Sequence, residues 1–272
     1  MAMKRISILL VFVLSALVAN AWSRKCDEAA MIVASEHLSP TTKKLVKKYL
    51  GKSYTDDVHY LYDLEAEQAP QLSKKARQAA AEVHYLHLDK DLQPKSVKGK
   101  DALKSLEAAL EVVRNHTSHP KREVTAALRE VINLVCDMHN LSKIRIDGIK
   151  HSQRDFWYLV PRAEFGKKKS ETSKVKWSRS WRTFDGGYSF FSANYWAEDL
   201  RVYIGGRYAD YATGTPREWA SEYGAFASRY LEMCKPKQTV GYMDRREMFT
   251  LNYEMYVKTT CRLAALLNEN LK

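Results

Sequence analysis

Residues 121–139, KREVTAALREVINLVCDMH, place Val124, Leu128, Val131, Leu134, Val135 and Met138 at three- and four-residue intervals. That spacing gathers the apolar side chains into one stripe, so the segment reads as a helix facing a core. The same periodicity recurs outward from it. It covers residues 28–38 and 41–50, with Ser39-Pro40 breaking between them, then 57–68, 72–84 and 101–115. Helix resumes at Pro216, a residue suited to a first turn, through REWASEYGAFASRYLEM, and a final helix is expected over 246–271. The stretch 144–184 differs: it is aromatic and Lys-rich, with strand-like alternation near 175–178, and reads as loop or a short hairpin. The fold class expected is all-α.

The start of the chain reads as an export signal. Lys4 and Arg5 precede an apolar run from Ile6 to Val18, and Ala19-Asn20-Ala21 offers small residues for cleavage, so residues 1–21 are expected to be removed. The run is too short to span a bilayer. The expectation is a secreted or periplasmic protein that begins at Trp22 and forms one domain over 22–272, since no Pro- or Gly/Ser-rich linker and no repeat divides it. Removing Lys4 and Arg5, with no acid among the same 21 residues, takes the formal net charge from +12 to +10. Such a balance attracts nucleic acid and anionic lipid, and equally describes a Lys-rich solvated surface. Four cysteines allow three pairings as two disulfides, and none lies in a CxxC pair of the kind that holds zinc.

Taken together, a Trp at the expected new terminus, the segment VINLVCDMHNLSK, and the late segments REWASEY and CRLAALLN resemble the zinc-dependent single-strand nucleases and bacterial phospholipases C. The resemblance implies a compact multi-helix bundle with three zinc ions in a cleft. It also implies cleavage of phosphodiester bonds in single-stranded nucleic acid, of nucleotide phosphates or of phospholipid head groups. Carried over position by position, it makes Asp137 the bridging ligand of a deep metal pair. One metal of that pair would also take Asp63, His84 and Asn133, the last standing where the family has His. The other would take the terminal Trp22 and Asp27, again in place of a His. The exposed third metal maps to Lys143, Trp181 and Asp185. An ammonium has no lone pair to give and an indole offers none, so that metal is expected to be absent.

The remaining set is rich in oxygen, which suits one or two divalent ions, Mn or Mg as well as zinc. On this reading Asp63, Asp137 and Lys143 are the catalytic residues, with Lys143 placing positive charge where the exposed metal would neutralise phosphate. Tyr85 is a candidate base-stacking residue, with core packing as the alternative. His139 matches an orienting histidine outside the ligand set. His37, His59, His116, His119 and His151 match no ligand and read as surface residues. The run GKKKSETSKVK, 166–176, reads as a solvated loop or a phosphate contact. Cys26 and Cys136 each replace a family glycine just before an aligned ligand, which implies a Cys26–Cys136 disulfide. The function implied is an exported phosphodiesterase of reduced activity, with single-stranded nucleic acid or nucleotide preferred over phospholipid. The alternative is a non-catalytic relative that binds a phosphate-bearing ligand or a protein partner in the same cleft.

Overall fold

The structure, a computed structural model, describes residues 24–55, 71–149, 157–161, 172–176, 192–235 and 237–272. Trp22, Asp63, Trp181 and Asp185, the cleavage site, His59, His151 and the helix expected over 57–68 lie outside these residues.

The described chain is mostly helical. In order it forms α1 (Arg24–Glu36), α2 (Pro40–Leu50), α3 (Lys74–Glu82), β1 (Leu86–Leu88), α4 (Ala102–Arg114), α5 (Lys121–Met138), β2 (Ile144–Ile146), β3 (Trp157–Pro161), β4 (Thr172–Lys176), α6 (Ala193–Ile204), α7 (Tyr208–Tyr211), α8 (Pro216–Met233) and α9 (Tyr242–Asn270). The starts are set by side chains that accept orphan N–H groups. Ser39 accepts from Thr42 N with Pro40 in the first turn, Asp101 accepts from Lys104 N, and Thr215 and Glu218 form a reciprocal capping box ahead of α8.

The apolar stripe of α5 is buried: Val124, Leu128, Val131, Val135 and Met138 are fully covered. It packs chiefly against α4, with α2 and α9 on its other flanks, while α1 lies between α6 and α9. Two elements depart from the sequence reading. Residues 144–146 pair in parallel with 86–88, in the register Leu86↔Ile144, His87↔Arg145 and Leu88↔Ile146. The helix α6 and the single turn α7 occupy a stretch for which the sequence reading named no element. Strands β3 and β4 pair antiparallel, as a hairpin does.

The β1–β2 pair positions the candidate site. It carries the His84–Tyr85 segment to the end of α5, and Tyr85 O accepts a hydrogen bond from Ala102 N at 3.0 Å, fixing it to the start of α4. Helix α8 presses on the other side at Gly224, where a Cβ would sit 2.5 Å from Leu88 Cδ1. Only glycine allows that approach.

Candidate functional site at the end of α5

Asn133 and Asp137 stand four residues apart on α5 and therefore on one face, with Glu130 three residues before Asn133 on the same side. All three side chains are buried. His84, just before β1, reaches Asp137 with Nδ1 2.5 Å from Oδ2. In the neutral tautomer that donates from Nδ1 to Asp137 Oδ2, Nε2 keeps its lone pair. Among the described residues Nε2 finds no hydrogen-bond partner, nor does either amide atom of Asn133 or Asp137 Oδ1. A buried polar atom without a partner costs about 1–3 kcal/mol, so a concentration of them at one place marks a candidate ligand site.

Lys143 closes the site on the far side of Asp137. Its ammonium is buried and lies 4.0 Å from Asp137 Oδ1 and 5.3 Å from the centre of the Tyr85 ring. Arg145 lies over the same ring at 3.8 Å and donates to Glu82 Oε1 at 2.9 Å, with His87 Nε2 3.3 Å from the other oxygen of that carboxylate. His87 and Arg145 are register partners across β1 and β2, which is why one carboxylate meets both. Glu82 is held below the usual carboxylate range first by its bond from His87, then by Arg145, against the opposing effect of burial. Tyr85 is thus the platform under Arg145 and Lys143. Neither base stacking alone nor core packing alone describes it.

Asp27 enters from α1. Its carboxylate accepts a hydrogen bond from the Cys136 thiol, whose pKa is pushed well above the ordinary thiol value by burial, then by the negative charges of Asp27 and Asp137. The expected Cys26–Cys136 disulfide is not formed: all four cysteines are free thiols and buried. The Cys26 carbonyl accepts from the Tyr256 hydroxyl at 2.8 Å, and the Cys136 thiol is turned to Asp27. Glu130, at the other end of the polar face, has a carboxyl raised to about 7 by burial, only partly offset by Lys100.

His139, one residue past α5, faces away into a different network. Its Nδ1 donates to Val135 O at 2.6 Å, its Nε2 accepts from the Tyr223 hydroxyl, and Arg262 Nη1 donates to that hydroxyl at 2.5 Å. Burial, then the nearby Arg262 charge, hold His139 well below the ordinary histidine value, so it is neutral. His116 is a correction to the sequence reading. It is buried, with Nδ1 2.9 Å from the Tyr49 hydroxyl and Nε2 3.0 Å from Lys272 O, and it ties α2 and the chain terminus to the end of α4.

The described residues include no group of three or more His, Cys, Asp and Glu side chains arranged to hold a metal. His84, Asn133 and Asp137 carry donors suited to a divalent ion, but His84 Nε2 points away from the carboxylate that Nδ1 bonds, so an ion shared by the three would take the place of the His84–Asp137 bond at Oδ2. They do not fit an ion beside Lys143, where an ammonium already faces the carboxylate. In comparisons with known proteins, no family model matches the chain and no curated protein matches it.

Proposed function

We propose that this chain is an exported phosphodiesterase, akin to the zinc-dependent single-strand nucleases and phospholipases C, with a site reduced to one divalent ion and weak activity on nucleic acid or nucleotides. The observation that carries this reading is the convergence of His84 and Lys143 on Asp137, with lone pairs on His84, Asn133 and Asp137 left unused. His84, Asn133 and Asp137 would hold the ion in place of the His84–Asp137 bond, and the ion would supply Lewis acidity and a more acidic bound water. Lys143 contributes a fixed positive charge beside the place where a phosphate would sit, as a single charge replacing a dication incompletely.

The test is an assay of the chain on single-stranded DNA, RNA, a nucleotide and a phospholipid, after chelation and then with Zn, Mn or Mg. Slow cleavage restored best by Mn or Mg is expected. Fast cleavage specific to zinc contradicts the reduced site, and no cleavage with any metal contradicts the activity. One observation favours a second reading, a non-catalytic relative that binds a phosphate-bearing ligand or a protein. The Lys143–Asp137 and Cys136–Asp27 contacts balance part of the buried charge by protein groups alone. Metal content of the purified chain separates the two readings.

A further inference from the structure

Among the described residues, the large apolar side chains that remain exposed are Tyr195, Val202 and Tyr203 on α6 and Tyr242, Met243 and Phe249 on α9. The two helices meet edge to edge. The Tyr253 ring lies 4.6 Å from that of Tyr203 and 5.8 Å from that of Phe249, and its hydroxyl bonds Asp199 of α6. The exposed aromatics therefore form one patch, continued by the first two turns of α9. There Tyr242 and Met243 are 76% and 69% exposed, the largest values in the patch after Val202 at 81%. Soluble proteins expose single apolar side chains freely, whereas a contiguous patch marks a surface that meets something.

The charges around the patch say what. Three of its carboxylates are engaged, Glu247 with Arg229, Glu198 with Arg201 and Asp199 with Tyr253, while Asp244 stands beside Met243 in the first turn of α9. The exposed cations Arg246, Lys235 and Lys237 have no carboxylate partner among the described residues. Arg246 stands four residues after Tyr242 and three before Phe249, within the same helical stripe, and the two lysines lie in the segment leading into α9. A protein interface is depleted in lysine, whereas aromatic rings flanked by lysine and arginine suit the boundary between anionic head groups and acyl chains.

We propose that the α6–α9 patch is a peripheral docking surface for anionic lipid, with Tyr242, Met243 and Phe249 entering the head-group boundary and Arg246, Lys235 and Lys237 facing the lipid phosphates. No helix of the described residues is long and apolar enough to cross a membrane, so this surface holds the protein to a bilayer rather than through it. The surface is separate from the His84–Asp137 site and does not depend on what that site does.

The experiment is co-sedimentation of the full chain with vesicles of phosphatidylcholine alone and with about a third phosphatidylglycerol. Binding to the anionic vesicles is expected to be at least about tenfold stronger than to neutral ones and to weaken as salt is raised. Tyr242→Ser with Met243→Ser lowers it about tenfold, and Arg246→Glu lowers it by about fivefold. Lys121→Glu, the same charge change at the start of α5, leaves it within about twofold. All four positions are exposed, so far-ultraviolet circular dichroism is expected to be unchanged in every variant. Three outcomes overturn the proposal: no difference between vesicle types, an equal loss in Lys121→Glu, or a dimer in light scattering that the Tyr242 and Met243 substitutions dissolve.

Discussion

The end of α5 separates two buried polar regions of opposite character. On one side His139, Tyr223, Arg262, Glu222 and Lys258 form a chain in which each side chain is engaged by the next, with only Arg262 Nε left over. On the other, Glu130, Asn133, Asp137 and His84 keep at least one buried polar atom each without a protein partner. The His139 region opens to the surface at Glu222 and Lys258, whereas Glu130, Asn133, Asp137 and His84 are all buried, so the unpartnered atoms lie where water reaches them least. A satisfied network fixes helices against each other, and an unsatisfied one stores a cost that a ligand can repay. On the proposed reading the His139 side is structural and the His84 side takes a ligand.

The comparison breaks most easily on the structural side. Arg262→Met leaves the Tyr223 and Glu222 contacts open and is expected to cost about 3–5 kcal/mol in urea unfolding, as removal of one partner from a buried charged pair does. The same variant should retain whatever metal affinity the wild type has. A loss of metal binding together with a small loss of stability would reverse the assignment of the two regions.

Glu130 sharpens the contrast through pH. Its carboxyl is raised from 4.5 to about 7 by burial, so the folded chain holds a proton that the unfolded chain releases. Its contribution is complete below pH 4.5 and is lost as pH rises to about 7, a span worth about 3 kcal/mol. His139 acts in the opposite direction, because its pKa is lowered: its contribution is present above about pH 6.5 and is lost as pH falls. Glu130→Gln removes the first dependence and leaves the second. Unfolding free energies of the two proteins at pH 5 and pH 8 should therefore differ most at pH 8, in favour of the variant.

Asn133 gives the smallest effect and the least intuitive sign. Replacing an amide that has no partner by Leu, of similar size, is expected to stabilise the chelated protein by about 1 kcal/mol. A destabilisation of the same size would mean that the amide is satisfied and that the region is no different from its neighbour.

The helical class was legible because most helices carry a single apolar stripe, and α5 ends within one residue of its expected limit. Helix α6 was not read, and its exposed face explains why. Tyr195, Val202 and Tyr203 point outward beside the polar Asn194, Glu198 and Arg201, while Trp196, Ala197, Leu200 and Ile204 point inward, so apolar residues fall on both sides and blur the stripe. Strands of three residues, as in β1 and β2, are too short for alternation to register. The burial of His116 depends on partners 67 and 156 residues away, which no local pattern announces. At the site, the resemblance put His84, Asn133, Asp137 and Lys143 together on order and spacing. It did not reveal that His84 would spend Nδ1 on Asp137, that Arg145 would cover Tyr85, or that Cys136 would donate a hydrogen bond to Asp27 rather than join its sulfur to Cys26. Those are choices of rotamer and partner, set by packing after the helices have formed.

The central claim, that the partnerless end of α5 is a ligand site, is tested most directly by thermal unfolding of the chelated full chain against added Mn or Zn. Binding to the folded state alone raises the melting temperature with metal concentration. Wild type and Arg262→Met should both shift upward by several degrees, while Asn133→Leu combined with Asp137→Asn should not shift. An unchanged melting temperature in the wild type, or an equal shift in the double variant, contradicts the assignment.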